Sequence, residues 1–130
     1  WSYGELKCIE RIDEITIRQL GTGFTWKKDN LDEDRRLAES GWVQSVEAIR
    51  NGGFDMIILD ELNLVLHYGL LDPGPVLDTI QGRPAHLHIV VTGRNAPEAL
   101  VECADLVTEM VAVKHPYHDQ GIGAQKGIEF

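Results

Sequence analysis

The stretch Phe54–Leu62 constrains the fold of this chain more than any other part of the sequence. It contains four consecutive apolar residues, Met56–Leu59, which end abruptly at the acids Asp60 and Glu61. An unbroken apolar run of this length predicts a strand that is buried on both faces, as strands are within a parallel sheet. Residues that follow such strands lie where open α/β sheets bind their ligands.

Two interpretations of this acidic pair are open at the level of the sequence. Hard divalent cations such as Mg²⁺ bind carboxylate oxygens, directly or through water, and acids in this position are typical of the Walker B strand of a magnesium-nucleotide site. Alternatively, Asp60 only caps the helix predicted to follow, because acidic residues stabilise the amino-terminal end of a helix.

The composition favours one domain and argues against some partners. A chain of 130 residues with 43% hydrophobic residues can bury a core, so we predict a single domain over residues 1–130. Its net charge of −9 argues against nucleic acid and anionic membranes as partners, because both attract basic surfaces. No apolar run approaches the ~18 residues of a membrane span. Cys8 and Cys103 lack C-x-x-C spacing, which favours reduced thiols and a cytoplasmic protein.

Three elements are predicted before the apolar run. Trp1–Arg11 is predicted as a loop that leads into a short helix, and Glu14–Leu20 alternates like a strand with one covered face. Asn30–Asn51 is predicted as a helix, because Asn30 is a suitable N-cap and apolar residues recur at helical spacing up to Gly52. That apolar stripe consists of Ala38, Trp42, Val46 and Ile49.

After the apolar run, helices and strands continue to alternate. The predicted elements are a helix over Leu62–His67, a helix started by Asp72 and Pro73 and ended by Gly82, a strand over His86–Thr92, a helix over Asn95–Ala104, a strand over Leu106–Val113 and a loop over Lys114–Phe130. This alternation predicts an α/β fold with a mainly parallel sheet and flanking helices.

Polar residues accumulate at the same end of three predicted strands. They are residues 22–26, the pair Asp60 and Glu61, and residues 92–94. The carboxyl ends of parallel strands meet at one edge of a sheet, so we expect a single site there. This convergence favours the magnesium interpretation of the acidic pair.

Six segments of the chain carry a specific resemblance to a known family. They are Gly21–Trp26, Asp55–Leu62, Val91–Arg94, Ala104–Met110, Val113–Pro116 and Gly123–Ile128. Their order and spacing are similar to those of ATP:corrinoid adenosyltransferases of the BtuR/CobA/CobO type. The resemblance runs from Trp1 to Phe130.

The resemblance implies a P-loop NTPase-like (RecA-like) core and a specific reaction. Enzymes of this family transfer the 5′-deoxyadenosyl group of ATP to the cobalt of a reduced corrinoid and release triphosphate, in adenosylcobalamin biosynthesis or salvage. By resemblance, Glu61 holds Mg²⁺ on the triphosphate and Asp60 stands beside it. The family also implies a homodimer and a reduced flavoprotein as the electron donor.

The resemblance also assigns roles to residues that flank the acids. Phe24 and Trp26, with Thr25 between them, match the aromatic pair that lies under the corrin ring and keeps the lower face of cobalt free of ligands. The alternative is that both aromatics are ordinary core residues. Arg94 and Thr92 are expected to bind the nucleotide, whereas the alternative for Arg94 is a surface arginine near a helix start.

One departure from the family is large. The family has an amino-terminal strand and a glycine-rich Walker A loop that ends in Gly-Lys-Thr, and neither occurs in these 130 residues. We therefore expect the chain to be a fragment that does not bind MgATP tightly or turn over alone. Two other hypotheses are a non-catalytic corrinoid- or nucleotide-binding module, and another P-loop ATPase that shares only the Walker B strand.

Overall fold

The computed structural model describes residues 4–21 and 31–128, except for the side chains of Glu5 and Leu31. Its elements are α1 (Gly4–Ile9), α2 (Leu31–Asn51), β1 (Met56–Leu59), α3 (Leu62–His67), α4 (Pro73–Gln81), β2 (His88–Val91), α5 (Glu98–Cys103) and α6 (Pro116–Gln120). The chain divides into two compact units, one formed by Leu20–Val107 and the other by Trp1–Gln19 with Thr108–Phe130.

The larger unit contains a small parallel sheet, as the sequence predicts. β1 and β2 are the strands found in the described part of the chain, and they pair in parallel with Met56 opposite His88 and Leu59 opposite Val91. α3 and α4 form the crossover between the two strands. The α/β class with a parallel sheet and flanking helices is therefore confirmed.

The prediction that β1 is buried on both faces is wrong. Met56 and Ile58 are 54% and 60% exposed, while Ile57 and Leu59 are half-buried. Successive side chains of a strand point to opposite faces, and the described helices cover only the face that carries Leu59. One side of this sheet therefore presents apolar residues to solvent.

The core of the larger unit lies between the covered face of the sheet and helices α3, α4 and α5. Its buried residues are Leu62, Leu66, Val76, Ile80 and Leu100, and Leu59, Ile89 and Val91 of the sheet pack against them. From α2, Trp42 contacts this cluster and Ile49 is 2% exposed. The stripe predicted from helical spacing in α2 therefore does face the interior.

Capping residues explain where several helices begin. α4 begins at Pro73, and Oδ1 of Asp72 accepts a 3.0 Å hydrogen bond from the backbone N–H of Gly74, as the sequence predicts. α5 begins three residues later than predicted. Asn95 has a left-handed backbone (φ 58°) and Pro97 occupies the N-cap position. The sequence predicts Asn95 as the N-cap, which would make Ala96 the first helical residue. Pro97 disfavours helical geometry in Ala96, the residue before it, so the helix begins after Pro97.

Two predicted strands are not formed. Glu14–Leu20 and Leu106–Val113 have no strand pairing, and Ile15 and Met110 are 49% and 94% exposed. Strand propensity mainly reflects how side chains pack on a pleated surface, and a strand also needs a hydrogen-bonding neighbour. β1 and β2 pair only with each other in the described part of the chain, so these segments find no partner there.

The segments of the smaller unit are mainly irregular. α1 is confirmed within the predicted loop and short helix of Trp1–Arg11. The segment from Lys114 onward, predicted as a loop, contains the short helix α6, which begins at Pro116 after His115. No described helix combines the length and apolar character that crossing a membrane requires. Cys8 and Cys103 are both free thiols.

Candidate functional site

The carboxyl ends of β1 and β2 bring Asp60 and Glu61 beside Thr92. The backbone N–H of Thr92 donates to the carbonyl of Leu59 at 3.3 Å, which extends the parallel register by one residue. The Thr92 hydroxyl donates a 2.6 Å hydrogen bond to Oδ1 of Asp60. The Thr92 hydroxyl oxygen also accepts a 3.0 Å hydrogen bond from the backbone N–H of Glu61. Two of the three strand ends that were predicted to converge, residues 60–61 and residues 92–94, therefore meet at one edge of the sheet, whereas residues 22–26 lie outside the described residues.

Asp60 does not cap the helix that follows it. α3 begins at Leu62, its N-cap residue is Glu61, and no side chain forms a capping hydrogen bond there. The carboxylate of Asp60 is engaged by Thr92 instead. The structure thus decides against the capping interpretation, and Asp60 keeps an exposed carboxylate at the end of the sheet.

Glu61 adopts an unusual backbone conformation. Its φ and ψ angles are 59° and 19°, in the left-handed region. This region costs a non-glycine residue roughly 1–2 kcal/mol. Hydrogen bonds across the turn offset that cost, because Thr92 accepts from the backbone N–H of Glu61 through its hydroxyl and from that of Asn63 through its carbonyl at 3.2 Å. Strained residues held in this way are common at functional sites.

Gly93 allows the turn after β1 to approach β2 closely. It has a φ of 119°, and a Cβ at this position would lie 3.0 Å from Cβ of Asn63 and 3.1 Å from Oε2 of Glu61. A side chain would therefore disfavour the backbone conformation and crowd the glutamate carboxylate. The Thr-Gly-Arg sequence predicts a strand end, but the contact between Gly93 and Glu61 could not be predicted from it.

Asn63 is a residue of this region that sequence reasoning missed. It is 6% exposed, and its Nδ2 donates to the carbonyl of Gly93 at 3.1 Å. Its Oδ1 is buried and has no hydrogen-bond partner in the described part of the chain. The sequence does contain one indication, which is a polar residue between Leu62 and Leu64 on an otherwise apolar helix. An amide buried in such a helix normally forms a hydrogen bond.

The donor set at this edge fits a magnesium ion that is shared with a substrate. Asp60 and Glu61 both offer exposed carboxylates. Mg²⁺ in nucleotide sites takes one or two carboxylates, and phosphate oxygens and water complete its shell. Across the described residues, no group of three or more His, Cys, Asp or Glu side chains could hold a metal by itself. Two carboxylates are enough for a cation that also binds phosphate oxygens.

The other predicted site residues have different outcomes. Arg94 is exposed and follows Gly93 at the same end of β2, so it lies at the predicted edge of the sheet. Phe24, Thr25 and Trp26 lie outside the described residues, and their predicted role stays a prediction.

A separate cavity of about 350 Å³ lies between α2 and the segment that connects α3 to α4. Trp42, Leu70, Leu71 and Val76 form its apolar wall, while Arg35 and Asp72 add charge at the lining. Neither acid of the strand end lines this cavity. It is therefore distinct from the predicted site.

Comparison with known proteins gives a family match over the whole chain. The model of the family described as ATP:corrinoid adenosyltransferase BtuR/CobO/CobP matches residues 1–130. A corrinoid adenosyltransferase from a Sinorhizobium species is 42% identical over 130 residues, covering 98% of this chain and 60% of the relative. A corrinoid adenosyltransferase from Pseudomonas aeruginosa PAO1 is also 42% identical, covering 99% of this chain and 64% of the relative.

A more distant relative gives the same picture. The corrinoid adenosyltransferase CobA of Salmonella typhimurium LT2 is 31% identical over 130 residues, covering 100% of this chain and 65% of the relative. The chain thus spans 60% to 65% of the length of these three curated relatives.

Proposed function

The chain belongs to the BtuR/CobO/CobP family of ATP:corrinoid adenosyltransferases, and from this membership we propose what the protein does. It transfers the 5′-deoxyadenosyl group of ATP to the cobalt of a reduced corrinoid and releases triphosphate, in adenosylcobalamin biosynthesis or salvage. The observation that carries this proposal is the acidic pair Asp60 and Glu61, joined to Thr92 at the carboxyl edge of a parallel sheet in a chain that matches the family throughout.

The proposal includes a P-loop NTPase-like (RecA-like) core, to which residues 1–130 contribute part of one adenosyltransferase domain. The parallel pairing of β1 with β2, and the acids directly after β1, support the identification of β1 as a Walker B strand. Ligands of open α/β sheets bind at this edge.

Glu61 and Asp60 are proposed to hold Mg²⁺ together with the triphosphate of ATP. When bound, the ion neutralises the negative charge that develops on the triphosphate as it leaves. Glu61 contributes a carboxylate from a turn whose backbone is fixed by Thr92. Asp60 contributes a second carboxylate, one oxygen of which is already held.

The chemical step is a displacement at the 5′ carbon of ATP. Cobalt(I) of the corrinoid substrate supplies an electron pair to that carbon, a cobalt–carbon bond forms, and the bond from carbon to the triphosphate oxygen breaks. Phe24 and Trp26, with Thr25 between them, are proposed to lie under the corrin ring and to leave the lower face of cobalt without a ligand. Arg94 is proposed to contact the nucleotide, since a guanidinium suits phosphate oxygens.

The remaining features of the proposal come from the resemblance and the composition. A reduced flavoprotein supplies the electron that forms cobalt(I), and the enzyme acts as a homodimer in the cytoplasm. The net charge of −9 supports the absence of nucleic acid among its partners.

A spectroscopic assay of the full-length protein tests this function. The protein is mixed with MgATP and cob(II)alamin under reducing conditions, the visible spectrum is followed, and the released phosphates are separated by anion exchange. We expect an adenosylated corrinoid and one intact triphosphate per product. An unchanged corrinoid spectrum would overturn the proposal. Corrinoid binding without product would instead indicate a non-catalytic module, and release of orthophosphate without adenosylation would indicate a different P-loop ATPase.

A further inference from the structure

The Thr92 hydroxyl is fully committed as a donor inside the protein. A threonine hydroxyl has one proton and two lone pairs. Its proton is donated to Oδ1 of Asp60 at 2.6 Å, and one lone pair accepts from the backbone N–H of Glu61 at 3.0 Å. The distance to Asp60 is typical of the short bonds that hydroxyls form with carboxylates.

This arrangement conflicts with a direct contact between Thr92 and a triphosphate. Phosphate oxygens accept hydrogen bonds, so the threonine would have to offer them its only proton. It could do so only by releasing Asp60 and giving up a charge-assisted bond. The hydroxyl is therefore better placed to hold the acids than to bind the nucleotide.

We propose that Thr92 is a positioning residue, which fixes Asp60 and the turn at Glu61 so that both carboxylates face one divalent cation. This inference rests on the proposed function, because it assumes that the two acids serve a metal bound with ATP. It replaces the nucleotide contact that the family resemblance implies for Thr92 with an action through Asp60 and Glu61.

The surrounding hydrogen bonds support the same role. The carbonyl of Thr92 accepts from the backbone N–H of Asn63, and the carbonyl of Gly93 accepts from Nδ2 of Asn63. Four hydrogen bonds therefore join the segment from Asp60 to Asn63, which covers the turn and the start of α3, to the end of β2. Hydrogen-bond partners of this kind orient metal ligands, and their loss commonly weakens metal binding by about 10- to 100-fold.

Divalent-metal binding in the full-length protein tests the inference without relying on turnover. Mn²⁺ is titrated in the presence of ATP and free Mn²⁺ is measured by electron paramagnetic resonance, while ATP affinity is measured separately in EDTA. We expect Thr92→Val to weaken Mn²⁺ binding by about 10- to 100-fold and to leave ATP affinity in EDTA unchanged. Thr92→Ser keeps the hydroxyl and should restore most of the Mn²⁺ affinity.

A double-mutant cycle separates action through Asp60 from direct contact with ATP. If Thr92 works through Asp60, Thr92→Val should cost much less in an Asp60→Asn background than in the wild type. If the two losses multiply, Thr92 does not act through Asp60 and that part of the inference is wrong. If Thr92→Val weakens ATP binding equally with and without metal, Thr92 touches the nucleotide and the whole inference is wrong. Wild-type Mn²⁺ affinity in Thr92→Val would also overturn it.

Two controls keep the result interpretable. Thr79→Val removes another hydroxyl that forms a hydrogen bond, a 2.9 Å bond to the carbonyl of Pro75 within α4, and should leave Mn²⁺ binding unchanged. If circular dichroism shows that Thr92→Val does not fold, the Mn²⁺ affinities of Thr92→Ser and Thr92→Ala are compared instead, because these two variants also differ in the hydroxyl. If the variants show these Mn²⁺ affinities but the wild-type protein forms no adenosylated corrinoid, the proposed function is refuted and the role of Thr92 is retained.

Discussion

Thr92 and Asp60 lie 32 positions apart in the chain, and a 2.6 Å hydrogen bond joins the hydroxyl of one to the carboxylate of the other. The bond connects the residues that follow two paired parallel strands, β1 and β2. Because the same hydroxyl also accepts from the backbone of Glu61, one side chain links both acids to the neighbouring strand. The chemistry proposed for this protein depends on that pair of acids, so the link has consequences that can be measured.

Glu61→Gln tests whether this carboxylate serves the metal. An amide is nearly the same size but carries no charge, so we expect the rate of adenosylation to fall by about 100-fold or more, as when a key charge-stabilising group is lost. The measurement is kcat over a series of Mg²⁺ concentrations. The matched control is Glu98→Gln, which neutralises an exposed glutamate in the first turn of α5 and should keep the wild-type rate. A wild-type Mg²⁺ response in Glu61→Gln would remove Glu61 from the metal site.

Gly93→Ala tests the close approach between the turn and β2. The new Cβ would lie 3.0 Å from Cβ of Asn63 and 3.1 Å from Oε2 of Glu61, at a φ of 119°. We expect a loss of about 2 kcal/mol or more in the free energy of unfolding, together with weaker Mn²⁺ binding, because Glu61 must move. Urea denaturation and metal titration give the two values.

Gly53→Ala is the control for backbone strain alone. Gly53 also has a positive φ, 64°, but a Cβ there meets nothing within 4 Å. It should cost about 1 kcal/mol of stability and leave metal binding unchanged. Equal effects of the two substitutions on Mn²⁺ affinity would show that the contact between Gly93 and Glu61 does not influence metal binding.

Asn63→Ala tests the buried amide beneath the site. Its Nδ2 donates to the carbonyl of Gly93 at 3.1 Å, and removing it leaves that carbonyl without this donor. We expect the free energy of unfolding to fall by about 1–3 kcal/mol. Asn51→Ala is the comparison, because its Nδ2 also makes one 3.1 Å hydrogen bond, to Glu47, but on the exposed surface of α2. That change should stay within about 0.5 kcal/mol. Equal losses would show that burial of Asn63 contributes nothing.

Phe24→Ala and Trp26→Ala test the proposed corrinoid contact. If the two rings keep the lower face of cobalt free of ligands, their removal should impair reduction of cobalt(II) far more than it weakens ATP binding. Spectroscopy of enzyme-bound cob(II)alamin follows the first effect, and ATP titration follows the second. The opposite order of effects, or a general loss of folded protein, would assign both aromatics to the core.

Signals confined to a few neighbouring residues predicted local structure well. The helix over Leu62–His67 has the predicted bounds, and Asp72 caps α4 through Gly74 as expected. These elements depend on caps, prolines and helical spacing, which act within one or two turns of chain. The acidic pair at the end of β1 was likewise evident from an apolar run that stops at two charges.

Pairing and packing between distant segments could not be predicted from such local signals. Alternating residues at Glu14–Leu20 predicted a strand, yet no described neighbour pairs with it. The exposed face of β1, with Ile58 60% exposed, depends on which helices cover the sheet. A period of two or an apolar run indicates that a strand can form, but a partner elsewhere in the chain decides whether it does.

The same distinction between local signals and distant contacts applies to the residues of the site. The amino-acid sequence alone determined that Asp60 and Glu61 end a strand and that Thr92-Gly93 ends another, because both follow apolar runs. Folding decided that the Thr92 hydroxyl bonds Asp60, that Glu61 takes a left-handed conformation, and that a side chain at position 93 would crowd Asn63 and Glu61. The hydrogen bonds and close contacts that build this site join residues about 30 positions apart, and they form only once β1 and β2 pair in register.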